Sequence, residues 1–143
     1  MISSGIIAAL GLALSTATAE PVKLPQEPVI VKEAQVEFMS LGEFRLTAYC
    51  SCSKCCGKWA NNRPNGVVIG ASGEELTPNY SIAVDPDVIP YGTMVIIDGK
   101  EYKAQDCGGS IKNNRIDVYF NNHADALEFG VQYKEVFIKE EDF

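Results

Sequence analysis

The sequence predicts a compact, mainly β barrel with one short helix. Six short strand-like segments, a two-residue Asp-Gly hairpin and a single capped helical turn lead to it. The segments are Phe44–Tyr49, Tyr80–Val84, Met94–Asp98, Glu101–Gln105, Arg115–Phe120 and Glu135–Ile138. So many short strands within roughly a hundred residues imply a barrel or sandwich. Asp98-Gly99 joins two of them, and a two-residue type I′ turn favours this pair because both central positions need positive φ. The helix is expected over His123–Phe129, with Asn121 or Asn122 as its cap, Asp125 in the first turn and Gly130 at its end, the placement that capping and the helix dipole favour.

The chain has 143 residues, 46% hydrophobic and 22% charged. That is a globular composition with room for one domain and an appendage. Its net charge of −7, with no dense run of Lys or Arg, argues against a nucleic-acid partner. It also argues against simple electrostatic adhesion to an anionic polymer or lipid surface.

Residues 1–19 read as a signal peptide, with an uncharged apolar run from Ile6 to Leu14 and the small residues Ala17-Thr18-Ala19 before Glu20-Pro21. The run is short of a membrane span, so no stable span is expected after processing. No basic residue precedes it, which leaves a truncated start or a retained anchor as open readings. Residues 20–43, with Pro21, Pro25 and Pro28 among alternating charges and valines, read as a linker with room for a short strand near Val36–Met39 at its end. The barrel domain is expected over 44–143.

Asp85, Asp106 and Asp117 stand out by context, each ending or interrupting a β segment. Strand alternation puts Arg115, Asp117 and Tyr119 on one face and Ile116, Val118 and Phe120 on the other. If the apolar face packs in the core, Asp117 lines a groove with a tyrosine and an arginine. Burial among Ile, Val and Tyr raises a carboxyl pKa, and a second carboxylate pushes the same way. That is how an acid stays protonated until it can donate. The plainer alternative is structural: Asp85 caps the turn at Pro86, and Asp106 supports the Gly108-Gly109 bend.

Four stretches together resemble one family: Thr47-Ala48-Tyr49, Gly70-Ala71-Ser72-Gly73, the run from Ile82 to Thr93 through Asp85, and the run from Asp106 to Phe120 through Gly108-Gly109 and Asp117. They are similar to the three-aspartate (3D) domain of bacterial and phage cell-wall proteins. The resemblance implies a six-stranded double-psi β-barrel like that of the membrane-bound lytic transglycosylase A family. It also implies cleavage of peptidoglycan glycan strands to 1,6-anhydro ends by an exported enzyme, or a non-catalytic glycan-binding barrel as the alternative. Carried over, the catalytic aspartates are Asp117 as the acid, Asp106 beside it and Asp85. Lys112, Tyr49, Ser72, Gly108 and Gly109 are the expected substrate contacts. Gly70 and Cys107 stand where the family often has Thr. No cofactor or metal is expected for this chemistry.

Cys50, Cys52, Cys55 and Cys56 crowd into seven residues, and Cys107 makes five. In an exported chain disulfide bonding is the default expectation, with one thiol left over. Zinc is the competing reading, because Cys52-x-x-Cys55 has ligand spacing and Cys107 or His123 could complete a tetrahedron; a reactive thiol is the third. His123, the single histidine, reads as a surface residue at a helix start. Lys58-Trp59 offers a surface for stacking against a sugar.

Overall fold

The computed structural model describes residues 11–13, 36–61 and 63–140. The chain divides into the units Met1–Glu33 and Ala34–Phe143. The expected signal peptide, apart from exposed residues 11–13, and most of the expected linker lie outside the described residues.

All six expected strands are present: β1 (Phe38–Cys50), β2 (Ser81–Ala83), β3 (Met94–Ile97), β4 (Lys100–Asp106), β5 (Arg115–Phe120) and β6 (Gln132–Lys139). They hydrogen-bond in the closed order β1-β5-β2-β4-β3-β6, so that the sheet forms a barrel. β1·β5 and β2·β4 are parallel; the other four pairs are antiparallel. Closure removes the free edges that an open sheet would expose.

The interior follows from the alternation of each strand. Phe44 and Leu46 of β1, Ile116 and Val118 of β5, Val95 and Ile97 of β3, and Val136 and Ile138 of β6 meet Ile82, Val84, Ile89 and Ala104 in one buried cluster. Each large aliphatic or aromatic side chain here contributes about 1.5–3 kcal/mol of burial. A second, smaller cluster of Tyr49, Leu76, Ala83, Ile111 and Tyr119 lies on the other face of the same strands. The β3–β4 hairpin turns as expected, with φ of +50° at Asp98 and +76° at Gly99.

Two expectations are corrected. β1 begins at Phe38 rather than Phe44, because its first residues pair with β6 from Phe38↔Lys139 onward, across a bulge at Ser40/Gly42. The expected helix, α2 (His123–Phe129), is capped by Asn122, which accepts from the Asp125 N–H, but it is not the only helical segment. A four-residue turn, α1 (Ser53–Cys56), and two 3₁₀ turns at Gly57–Asn61 and Pro64–Gly66 follow β1.

One irregularity shapes the site. Ser81, Ile82 and Ala83 of β2 pair with Lys103, Ala104 and Asp106 of β4, so Gln105 is the extra residue of a bulge. A bulge reverses which face the following side chain takes. Ala104 shares the core face with Ile82, and Asp106 is thereby set opposite Ala83 instead. Polar bonds that run from buried Ser81 and Gln105 out to the surface hold the bulge: Ser81 Oγ donates to Gln105 Oε1 at 2.6 Å and accepts from Thr77 N–H at 2.7 Å, while Gln105 Nε2 donates to exposed Glu74 at 2.6 Å. Gly70 packs on the same bulge so tightly that a Cβ there would sit 2.4 Å from Gln105 O. The family's more frequent Thr cannot be accommodated at this position without a backbone shift.

Ser81→Ala leaves the Gln105 carbonyl oxygen and the Thr77 N–H without their partner, which costs about 1–3 kcal/mol when such groups are buried. The urea unfolding midpoint should fall accordingly with an unchanged slope. A midpoint equal to that of the parent would show that the bulge stands without this hydroxyl.

Candidate functional site

Asp106 and Asp117 are brought together through one small residue. Ala83 of β2 is the register partner of Asp106 on β4 and of Asp117 on β5. The carboxylates thus flank Ala83 from the two neighbouring strands, their backbones about 9–10 Å apart across two strand spacings. All three residues line a cavity of about 510 Å³, within the range of small-molecule sites.

The two carboxyl groups have different surroundings. Asp106 accepts on both oxygens, from Tyr49 Oη at 2.5 Å and from the Ala71 N–H at 2.9 Å. Burial first, and Asp106 second, push the Tyr49 hydroxyl far above its ordinary range, so it remains a donor. Asp117 accepts one side-chain bond, from Thr47 Oγ1 at 2.9 Å, its register partner on β1. Burial raises its carboxyl above the ordinary value and Asp106 adds to this, against the Thr47 bond and the charges of Arg115 and Arg45.

Asp85 is not among the cavity residues. It is buried, accepting from the Asn113 N–H at 2.9 Å and the Asp87 N–H at 3.4 Å and pairing with Lys112 Nζ at 3.5 Å. The Asn113 bond, ahead of Asp87 and Lys112, holds its carboxyl below the ordinary value. The plainer reading of this residue describes its geometry: it ties its own turn to the loop before β5.

Of the other expected contacts, Tyr49, Gly108 and Gly109 line the cavity, whereas Lys112 and Ser72 do not. Lys112 faces Asp85, and Ser72 donates its N–H to Gln105 O while its hydroxyl accepts from the Glu74 N–H. Arg115 is not a groove residue either, since its guanidinium bonds Ser110 O. The arginine in the cavity wall is Arg63, bonded to Ser51 O and Oγ, and exposed Trp59 stands with it. Thr47 and Ala83 were missed as site residues. Thr47 lay in a quoted motif, and Ala83 was legible only as a small residue inside an apolar strand.

Disulfide bonding is not found: all five cysteines are free thiols, and Cys50 Sγ and Cys55 Sγ are 3.7 Å apart against about 2.04 Å for a disulfide. Cys107 is separate from the others, beside Tyr91 at the cavity. Burial pushes the Cys50 and Cys56 thiols up to about 11. A hydrogen bond from Cys50, then the backbone at Cys55, draws Cys52 down to about 6.

Residues 80–139 match the family model of the 3D domain. That segment is similar to a 3D domain. Over 68 residues it is 44% identical to the cell wall-binding protein YocH of Bacillus subtilis (strain 168), covering 45% of this chain and 24% of that protein. Over 91 residues it is 41% identical to the putative cell wall shaping protein YabE of the same organism, covering 59% of this chain and 19% of YabE. The chain therefore spans about a quarter or less of these two relatives. Among solved structures, Escherichia coli MltA with bound chitohexaose is 27% identical with a TM-score of 0.44, covering 50% of this chain and 27% of that one. The lytic transglycosylase LtgG of Burkholderia pseudomallei is 31% identical with a TM-score of 0.43, covering 52% and 27%. Among the described residues no helix is long and apolar enough to cross a membrane.

The opposed carboxyl shifts give opposite pH signatures. Asp85, depressed in the fold, stabilises it above its unfolded value near 3.9, and that contribution is lost as pH falls through the folded value. Asp85→Asn should lower the melting temperature at pH 7, with the gap closing below about pH 4. Asp117, raised in the fold, destabilises it once ionised. Asp117→Asn keeps an acceptor for Thr47, so it should melt at or above the parent at pH 7 and converge with it below about pH 4. Melting curves between pH 3 and pH 8 check both signs, and a lower Asp117→Asn midpoint at pH 7 would contradict the second.

Proposed function

We propose that this chain cleaves the β-1,4 bond between N-acetylmuramic acid and N-acetylglucosamine in peptidoglycan, as an exported lytic transglycosylase built on a double-psi barrel. One observation carries the reading: two carboxyl groups flank Ala83 in a single cavity, one raised by burial and the other supplied with donors on both oxygens. Carboxyl groups held in contrasting environments are the usual means of dividing acid from charge stabiliser. The 3D-domain match and the names of the YocH and YabE relatives support a wall glycan as substrate. The two parallel strand pairs support the barrel type.

In this mechanism the Asp117 carboxyl protonates the glycosidic oxygen as the bond to muramic acid C1 breaks. The resulting carboxylate then takes the proton of the C6 hydroxyl as that oxygen closes on C1. Asp106, held by Tyr49 and the Ala71 N–H, faces the positive charge that develops at the anomeric carbon. Intramolecular attack dispenses with an activated water, so one acid suffices. Trp59, exposed in the cavity wall with Lys58 Nζ 5.0 Å from its ring, supplies an apolar face for a sugar ring.

Asp117→Asn should lose about 10²–10⁴-fold of turnover, the usual share of general acid–base catalysis, while folding and glycan binding are retained. Mass spectrometry of digested sacculi should find 1,6-anhydro-muramic ends with the parent chain. Reducing ends alone would make water the nucleophile. The relative named for cell-wall binding favours a second reading, a binding barrel without catalysis. Sacculus binding with no released product from any active-site variant or the parent would select it.

A further inference from the structure

Four side chains that take no part in the proposed chemistry converge beside the barrel. The Sγ atoms of Cys50, Cys52 and Cys55 and one ring nitrogen of His123 all lie within 4.8 Å of one another. His123 Nδ1 is 3.8 Å from Cys50 Sγ, 3.6 Å from Cys52 Sγ and 3.3 Å from Cys55 Sγ, and the Cys50 and Cys55 sulfurs are 3.7 Å apart. Tetrahedral zinc with bonds of about 2.3 Å to sulfur and 2.0–2.1 Å to nitrogen spaces two sulfurs by about 3.8 Å and a sulfur and a nitrogen by about 3.5–3.6 Å. The three sulfur–nitrogen separations bracket their value, and the Cys50–Cys55 separation lies beside its own. A disulfide would draw two sulfurs together and leave the third sulfur and the imidazole unaccounted for.

We propose that Cys50, Cys52, Cys55 and His123 Nδ1 bind one zinc ion in a closed, structural tetrahedral site. Three thiolates and a neutral imidazole form a donor set that suits zinc among the divalent metals, and three thiol protons leave as it binds. Four protein ligands fill the coordination shell, so the ion takes no substrate and activates no water. This amends the expectation that the chain uses no metal, and it resolves the odd cysteine count. Cys56 points elsewhere, donating to Cys50 O at 3.2 Å and lining the cavity, while Cys107 stands apart beside Tyr91.

The ligands come from the end of β1, the α1 turn and the start of α2, two of them 73 positions apart in the chain. The ion therefore clamps α2 to the end of β1 and fixes the segment that carries Ser51, Cys56, Trp59 and Arg63 into the cavity wall. The Asn122 cap sets where α2 begins, and hence where His123 presents its ring.

The test uses the full chain, purified without chelator and supplemented with zinc. Elemental analysis should find one zinc per chain, and denatured protein without reductant should titrate all five cysteines as thiols. Cobalt substitution should give tetrahedral d–d bands with sulfur-to-metal charge transfer. Those bands should be lost or changed in His123→Ala and Cys55→Ser and kept in Cys107→Ser. Stripping the metal should lower the melting temperature by at least about 5 °C. Should the ligand variants fail to fold, the parent's zinc content and cobalt spectrum decide alone. Protein lacking stoichiometric zinc after supplementation, or with a mass short of two hydrogens and three titratable thiols, overturns the site in favour of a disulfide. None of these readouts depends on glycan cleavage.

Discussion

The bulge at Gln105 is the constraint on which the candidate site depends. Without it Asp106 would share a face with Ala104 and point into the apolar interior, where an unpaired carboxylate costs several kcal/mol. With it, Asp106 joins Ala83 and Asp117 on the cavity side. The bulge is itself held by a chain of hydrogen bonds from the Thr77 N–H through buried Ser81 and Gln105 to exposed Glu74. Gly70 is required because a Cβ there would run into the Gln105 backbone carbonyl. The buried Ser81–Gln105 pair at the centre of these bonds is stable only when its polar atoms are satisfied, which makes position 81 consequential for the site.

The barrel gives its two site carboxyl groups different hydrogen-bond surroundings with little machinery. Thr47 and Tyr49 stand on one face of β1, and each hydroxyl reaches a different aspartate. Asp106 takes two donors, while Asp117 takes one and is raised by burial. Holding Asp117 in this way works against stability, the common cost of a functional group kept at a shifted pKa. Asp85, outwardly similar in sequence, answers to structure instead, because its neighbours are backbone N–H groups of a loop.

The wall of the cavity opposite the sheet is built from short helical turns rich in exposed and half-buried residues. Such turns have few apolar contacts of their own and hold their shape poorly without a cross-link. A zinc clamp between the end of β1 and α2 supplies that cross-link in a domain of modest core. The same logic makes small exported domains rich in disulfides, but here the sulfurs converge on an imidazole rather than on one another.

Much of this protein was determined locally and could be read from the chain. Alternation placed all six strands, Asp98-Gly99 set its hairpin through two positive φ values, and Asn122 and Gly130 bounded α2, because each depends on residues within a few positions. The face carrying Asp117 was legible for the same reason. Tertiary structure alone decided what depends on register between distant strands: the bulge that turns Asp106, the pairing of both aspartates with Ala83, the withdrawal of Asp85, Ser72 and Lys112 from the cavity, and the convergence of Cys50, Cys52 and Cys55 on His123. Spacing in the chain carries no record of which strand closes beside which, since that is settled by packing the whole apolar interior at once.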